Sequence, residues 1–262
     1  MKIPIYKVDA FTNKTFGGNP AGVCPLKEWL SDEEMQHIAS ENNLSETAFF
    51  VPNDSGFDLR WFAPLREVNL CGHATLSTAH VLFNHLNYPK DSISFQTKSG
   101  ELITTKNNDW ISMDFPMDII TQCVPPAELV DSLGMVPTNC YIGRDDYVAV
   151  FENESVIRNA HPKMDILKKL VTNRGLIITA KGDKVDFVSR FFAPAVGVDE
   201  DAVTGSAHCS LTAFWHKHNN GQTDFLAHQI SERGGVLKCI HKGERVQISG
   251  QAVTFLKGEI EF

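Results

Sequence analysis

The sequence predicts a mixed α+β fold built as two similar halves. Predicted strands and helices interleave, but strand-to-strand runs are too frequent for a regular βαβ sheet. Arg60-Trp-Phe-Ala-Pro64 recurs as Arg190-Phe-Phe-Ala-Pro194, 130 residues later in a chain of 262. Each copy ends a predicted strand and is followed by a loop, a Gly turn (Cys71-Gly72-His73, then Thr204-Gly205-Ser206) and an amphipathic helix.

In chain order, alternation predicts a strand over 3–9. The Gly and Pro of Gly17-Gly18-Asn19-Pro20 predict an irregular loop from Thr12 to Gly22. Ser31 with Glu34 is a capping box, and Met35, Ile38 and Ala39 give the helix behind it an apolar face. Residues 47–51 and 57–62 read as strands. Helical spacing of Leu76, Ala79, Leu82, Phe83 and Leu86 predicts a helix over 73–86. Strands at 92–97, 101–105 and 110–115 follow. Next come a helix at 126–133, strands at 138–143 and 146–151, and a helix at 165–172. Strands at 175–180 and 185–192 precede a helix at 206–218, which stops at Asn219-Asn220-Gly221. From 236 onward the chain reads as strands with Gly turns.

Hydrophobic residues make up 42% and charged residues 21%, which sets aside disorder, collagen and coiled coil. A net charge of −8 argues against a nucleic-acid partner. No stretch approaches the ~20 apolar residues of a membrane span, and residues 1–11 lack the apolar region of a signal peptide. The six cysteines are scattered without a Cys-x-x-Cys pair, so neither a disulfide framework nor a structural zinc site is expected. The expected setting is reducing and cytoplasmic.

Several residues invite chemistry, each beside a plainer reading. Glu46 precedes the apolar run Ala48–Val51; a carboxylate at the mouth of a buried strand is partly desolvated, which raises its pKa toward that of an acid/base catalyst. It also reads as an exposed strand-end glutamate. His73, at a helix start, suits a neutral hydrogen-bonding imidazole or a structural histidine. Asp201 belongs to an acidic run, and Thr204 and Ser206 also read as ordinary helix caps. Cys71 beside His73 suggests a thiol nucleophile, though a buried inert thiol is commoner. His216 and His218 lack a third metal ligand. Residues 17–22 match no nucleotide-binding fingerprint.

Four segments taken together, VDAFTNKTFGGNPAGV (8–23), LSETAFF (44–50), FAPLREVNLCGHATL (62–76) and FFAPAVGVDEDAVTGSAH (191–208), resemble the PhzF-like family of the diaminopimelate-epimerase-like superfamily. The resemblance implies two pseudo-symmetric domains, each a curled, barrel-like mixed sheet around a central helix, with the active site between them. The domains are expected at 1–117, joined by a returning segment at about 252–262, and at 118–251. Homodimers and no metal or organic cofactor are implied. The implied reaction is isomerisation by proton transfer on a small carboxylate-bearing compound. Glu46 maps to the family's proton carrier; His73, Asp201 and Ser206 map to its supporting residues. Gly72 and Gly205 map to turns that offer backbone donors, and Asn19 is a further substrate-binding candidate. The superfamily's epimerases use two cysteines, one per turn. Here Cys71 stands in the first turn but Thr204 in the second, and a threonine hydroxyl is too weak an acid to replace a thiol. A thiol-dependent epimerase and a non-catalytic carboxylate binder remain the alternatives.

Overall fold

A computed structural model describes residues 1–170 and 174–262. They divide into two compact units: Met1–Asp114 with Ser249–Phe262, and Phe115–Ile248.

The first unit runs β1 (Lys2–Ala10), β2 (Asn19–Pro25), α1 (Asp32–Asn42), β3 (Glu46–Pro52), β4 (Phe57–Ala63), β5 (Arg66–Val68), α2 (Gly72–Asn84), β6 (Ser92–Thr97), β7 (Gly100–Asn107) and β8 (Trp110–Pro116). β1 pairs antiparallel with β2, β2 lies parallel to β3, and β3 pairs antiparallel with β4. β4 then pairs with β5 antiparallel and with β6 parallel, and the β6–β7–β8 meander is antiparallel. The Ser31–Glu34 capping box forms as read, and Met35, Ile38 and Ala39 are the buried face of α1.

The second unit contains β9 (Thr121–Gln122), α3 (Ala127–Leu133), β10 (Asn139–Ile142), β11 (Asp146–Val150), α4 (Glu154–Arg158), α5 (Met164–Leu167), β12 (Gly175–Lys181), β13 (Phe187–Ala193), β14 (Val198–Asp201), α6 (Gly205–His218), β15 (Asp224–Gln229), β16 (Gly235–Lys242) and β17 (Arg245–Gly250). The final strand, β18 (Ala252–Glu261), pairs antiparallel with β1.

The two units share a pairing pattern. β11–β12 is parallel, β12–β13 and β13–β14 are antiparallel, β13–β15 is parallel and β15–β16 is antiparallel. That is the order of β2–β3, β3–β4, β4–β5, β4–β6 and β6–β7 in the first unit. In each, one long helix is buried along most of its length: α2 against β1, β2, β3 and β18, and α6 against β16. The fold is α+β, a curled mixed sheet around a helix.

The repeated arginine has the same structural task twice. Arg60 on β4 makes a bidentate pair with Glu67 on β5, at 2.8 and 2.9 Å. Arg190 on β13 does so with Glu200 on β14, at 2.6 and 2.8 Å. Each guanidinium also lies over the Phe two residues on, Phe62 at 5.1 Å and Phe192 at 4.9 Å. The planar fork fits both partners, which lysine does not. The pair clips a short strand onto a long one just before the turn that opens α2 or α6.

Two expectations are corrected. Only part of the stretch from Thr12 to Gly22 is irregular; Asn19–Gly22 belong to β2. Pro20 is tolerated because the parallel partner β3 joins only at Ala21, leaving one side unpaired at Pro20. The helix expected over 165–172 is the single turn Met164–Leu167; positions 171 and 172 lie outside the described residues. The short elements β5, β9, α4 and β14 escape periodicity because two to five residues show no period. β15 was not foreseen either.

Gly18 sets the entry to β2. Its φ is +64°, and an added Cβ would lie 2.1 Å from the Ala10 carbonyl oxygen. Gly18→Ala is expected to cost at least about 2 kcal/mol, because strain and backbone overlap add. Urea unfolding checks this; an unchanged midpoint would show that the turn is not strained.

Candidate active site

In the first unit, three element starts bring four side chains together. Asn19 opens β2, Glu46 opens the neighbouring β3, and Cys71 and His73 sit at the N-terminus of α2. Glu46 Oε2 lies 3.2 Å from His73 Nε2. The other ring nitrogen, Nδ1, faces Asn19 Nδ2 at 3.4 Å and Cys71 Sγ at 3.5 Å. Asn19, Cys71 and His73 are buried, while about a fifth of the Glu46 side chain is exposed. The carboxylate is therefore the member of the group open to a small molecule.

Burial pushes His73 down to about 4. Its place in the first turn of α2 acts in the same direction, since the positive end of the helix dipole disfavours an imidazolium. At neutral pH the Glu46–His73 contact is one between a carboxyl group and a neutral ring, not an ion pair. The side chain of Cys71 does not cap α2; its carbonyl accepts from Thr75 Oγ1 at 2.6 Å.

Glu46, Cys71 and His73 also place one donor atom each within 4.8 Å of one another, a spacing found around metal ions. The imidazole, however, stands with one nitrogen toward the thiol and the other toward the carboxylate. That separates the three donors instead of aiming them at one centre.

In the second unit, Asp201 ends β14, Thr204 precedes α6 and Ser206 is its second residue. Thr204 Oγ1 donates to Asp201 Oδ2 at 2.6 Å instead of capping the helix. Gln229, fully buried on β15, latches this turn: its Oε1 accepts from Thr204 N at 2.8 Å and its Nε2 donates to the Asp201 carbonyl at 2.8 Å. Ser206 is not a cap either. Its Oγ accepts from Arg174 Nη1 at 2.9 Å. Arg174 in turn forks onto the buried carboxylate of Asp146 and lies over Phe191 at 4.9 Å.

Gln229, Arg174 and Asp146 were missed from the sequence. Their partners lie 25 to 32 residues away, and no local spacing signals them. His216 and His218 each turn Nδ1 to a carbonyl, of Gln222 and Phe214, both at 2.8 Å, which explains their presence without a metal.

The helix starts Gly72-His73-Ala74-Thr75 and Gly205-Ser206-Ala207-His208 occupy matching places in the two units. Ser206 thus stands where His73 stands, and Thr204 where Cys71 stands.

The family model described as "Phenazine biosynthesis-like protein", PhzC-PhzF, matches residues 8–258. A protein of Halalkalibacterium halodurans named an uncharacterized isomerase is 48% identical, over 99% of both chains. The crystal structure of a phenazine biosynthesis protein of the PhzF family from Enterococcus faecalis superposes with a TM-score of 0.97 at 45% identity, covering 100% of both chains. A hydroxyproline epimerase from Agrobacterium vitis shares the fold, with a TM-score of 0.64 at 10% identity over 99% of this chain and 92% of its own. These relatives define an enzyme of the isomerase class. Within that class, the chain belongs to the PhzC-PhzF family.

Proposed function

We propose that the chain moves a proton within a small carboxylate-bearing metabolite, using Glu46 as the single acid/base and no cofactor. The observation that carries this reading is the partly exposed Glu46 carboxyl group 3.2 Å from the buried, neutral His73. Glu46 removes a proton next to an activated carbon and returns it elsewhere on the same face of the substrate. His73 orients the carboxylate and polar groups of the substrate. The backbone N–H groups at Gly72 and Gly205 offer donors to a substrate carboxylate, as helix starts do. Asp201 and Ser206 are the proposed substrate-binding residues of the second unit. Because Arg174 Nη1 only donates, Ser206 Oγ accepts from it, which leaves the hydroxyl proton to be directed at substrate.

The test is incubation with a panel of small cyclic and unsaturated carboxylates in D2O. Deuterium entering one of them beside the activated carbon, seen by NMR, supports the isomerase; saturable binding without exchange at any position supports a binder instead.

One observation favours a second reading. Cys71 Sγ lies within 3.5 Å of His73 Nδ1, a thiol next to a base. A two-thiol epimerase also needs an acid in the second turn, where Thr204 stands with its hydroxyl held by Asp201. The carboxylate mechanism needs no such partner.

Arg174 supports the Ser206 side. Arg174→Met is expected to cost about 2 kcal/mol in urea unfolding, because it strips the buried Asp146 of its cation, discounted for the partial exposure of the arginine. Arg174→Lys is expected to recover only part of this, since an ammonium cannot serve Asp146 twice and Ser206 once. Equal stability of the three proteins would remove Arg174 from this role. A homodimer in a reducing, cytoplasmic setting is the proposed state; all six cysteines are free thiols, and light scattering reads the assembly.

A further inference from the structure

Asn19 has a task that substrate binding does not describe. It opens β2 behind the left-handed turn at Gly18 and is fully buried. Its amide nitrogen faces His73 Nδ1 at 3.4 Å. An amide NH2 donates and never accepts. The Cys71 sulfur lies 3.5 Å from the same nitrogen and fits either tautomer, as weak donor or weak acceptor. The amide donor aimed at Nδ1 requires its lone pair, so the single proton of a neutral ring sits on Nε2. Nε2 lies 3.2 Å from Glu46 Oε2, so a proton on Nε2 lies against the carboxyl group.

We infer that Asn19 is a positioning residue that fixes His73 in the Nε2-protonated tautomer, so that the ring presents an N–H, not a lone pair, to Glu46. The alternative tautomer would set a lone pair against the carboxylate and push the two groups apart. With the N–H in place, no lone pair opposes Glu46, which is ready to accept a proton from substrate. The tautomer is a property of the resting protein; its catalytic use rests on the function proposed above.

The experiment is long-range 1H–15N correlation of the imidazole nitrogens in the full-length 15N-labelled protein without ligand, with His73 assigned by the signal lost in His73→Gln. The expected wild-type pattern at pH 7 is a protonated Nε2 and an unprotonated Nδ1. In Asn19→Asp the carboxylate acceptor draws a proton onto Nδ1, so the unprotonated Nδ1 signal is lost. In Asn19→Ala, where the thiol alone remains, the two tautomers mix. A purely structural asparagine would move melting temperature but not these signals. An Nδ1-protonated ring in the wild type overturns the inference, even if every variant fails to fold. So do unchanged nitrogen signals in folded Asn19→Asp and Asn19→Ala. If the tautomer is as stated but no carboxylate exchanges deuterium, the proposed function fails and the tautomer assignment stands.

Discussion

Glu46→Gln is expected to slow proton exchange by about 10²–10⁴-fold, the range general acid–base catalysis supplies. The amide keeps the size of the carboxylate and its place beside His73 Nε2, so fold and melting temperature should stay within a few degrees of wild type. What is lost is the capacity to take and return a proton. The loss should fall on kcat, with KM little changed, because the side chain acts on the moving proton and not on the bound carboxylate. A variant that weakens binding while keeping the exchange rate would show Glu46 to be a recognition residue.

Acid should unfold the protein before its carboxylates titrate. Burial holds His73, His80 and His208 down to about 4. Neighbouring charge, from His85 and Lys106, adds to burial for His80, and the bond from His208 Nδ1 to the Thr204 carbonyl works against it. The unfolded chain has ordinary histidines near 6.5 and binds their protons first as pH falls. Stability is therefore fully present above pH 6.5 and drains between 6.5 and 4, by as much as about 3 kcal/mol for each fully buried ring. Urea midpoints at half-unit pH steps read the slope. His208→Gln and His73→Gln should each flatten it by up to one proton. A midpoint constant from pH 7 to 5 would mean that these rings are not neutral guests of the core.

The sequence was most legible where a pattern is local or repeated. The Arg60–Pro64 and Arg190–Pro194 repeat is carried by a bidentate clip onto Glu67 and onto Glu200, which is why the arginine recurs and cannot drift. The α1 cap and the buried faces of α2 and α6 were written in spacing. Glu46 and His73 were singled out by motif, and they lie within hydrogen-bond reach. Asn19–Gly22 was misread because Gly and Pro usually end strands, whereas here a late-joining neighbour leaves the proline unchallenged. Gln229, Asp146 and Arg174 were illegible for another reason: each acts on a residue far along the chain, and burial, not spacing, makes the contact count.

The claim that a carboxylate, not a thiol, moves the proton is tested most directly by one comparison. On the first carboxylate found to exchange, deuterium incorporation rates are measured side by side for Glu46→Gln and Cys71→Ser. Serine keeps a donor toward His73 Nδ1 while removing the thiol. The predicted result is a Glu46→Gln rate at least about 10²-fold below that of Cys71→Ser, which itself stays close to wild type. The reverse order, with exchange lost in Cys71→Ser and kept in Glu46→Gln, would contradict the mechanism.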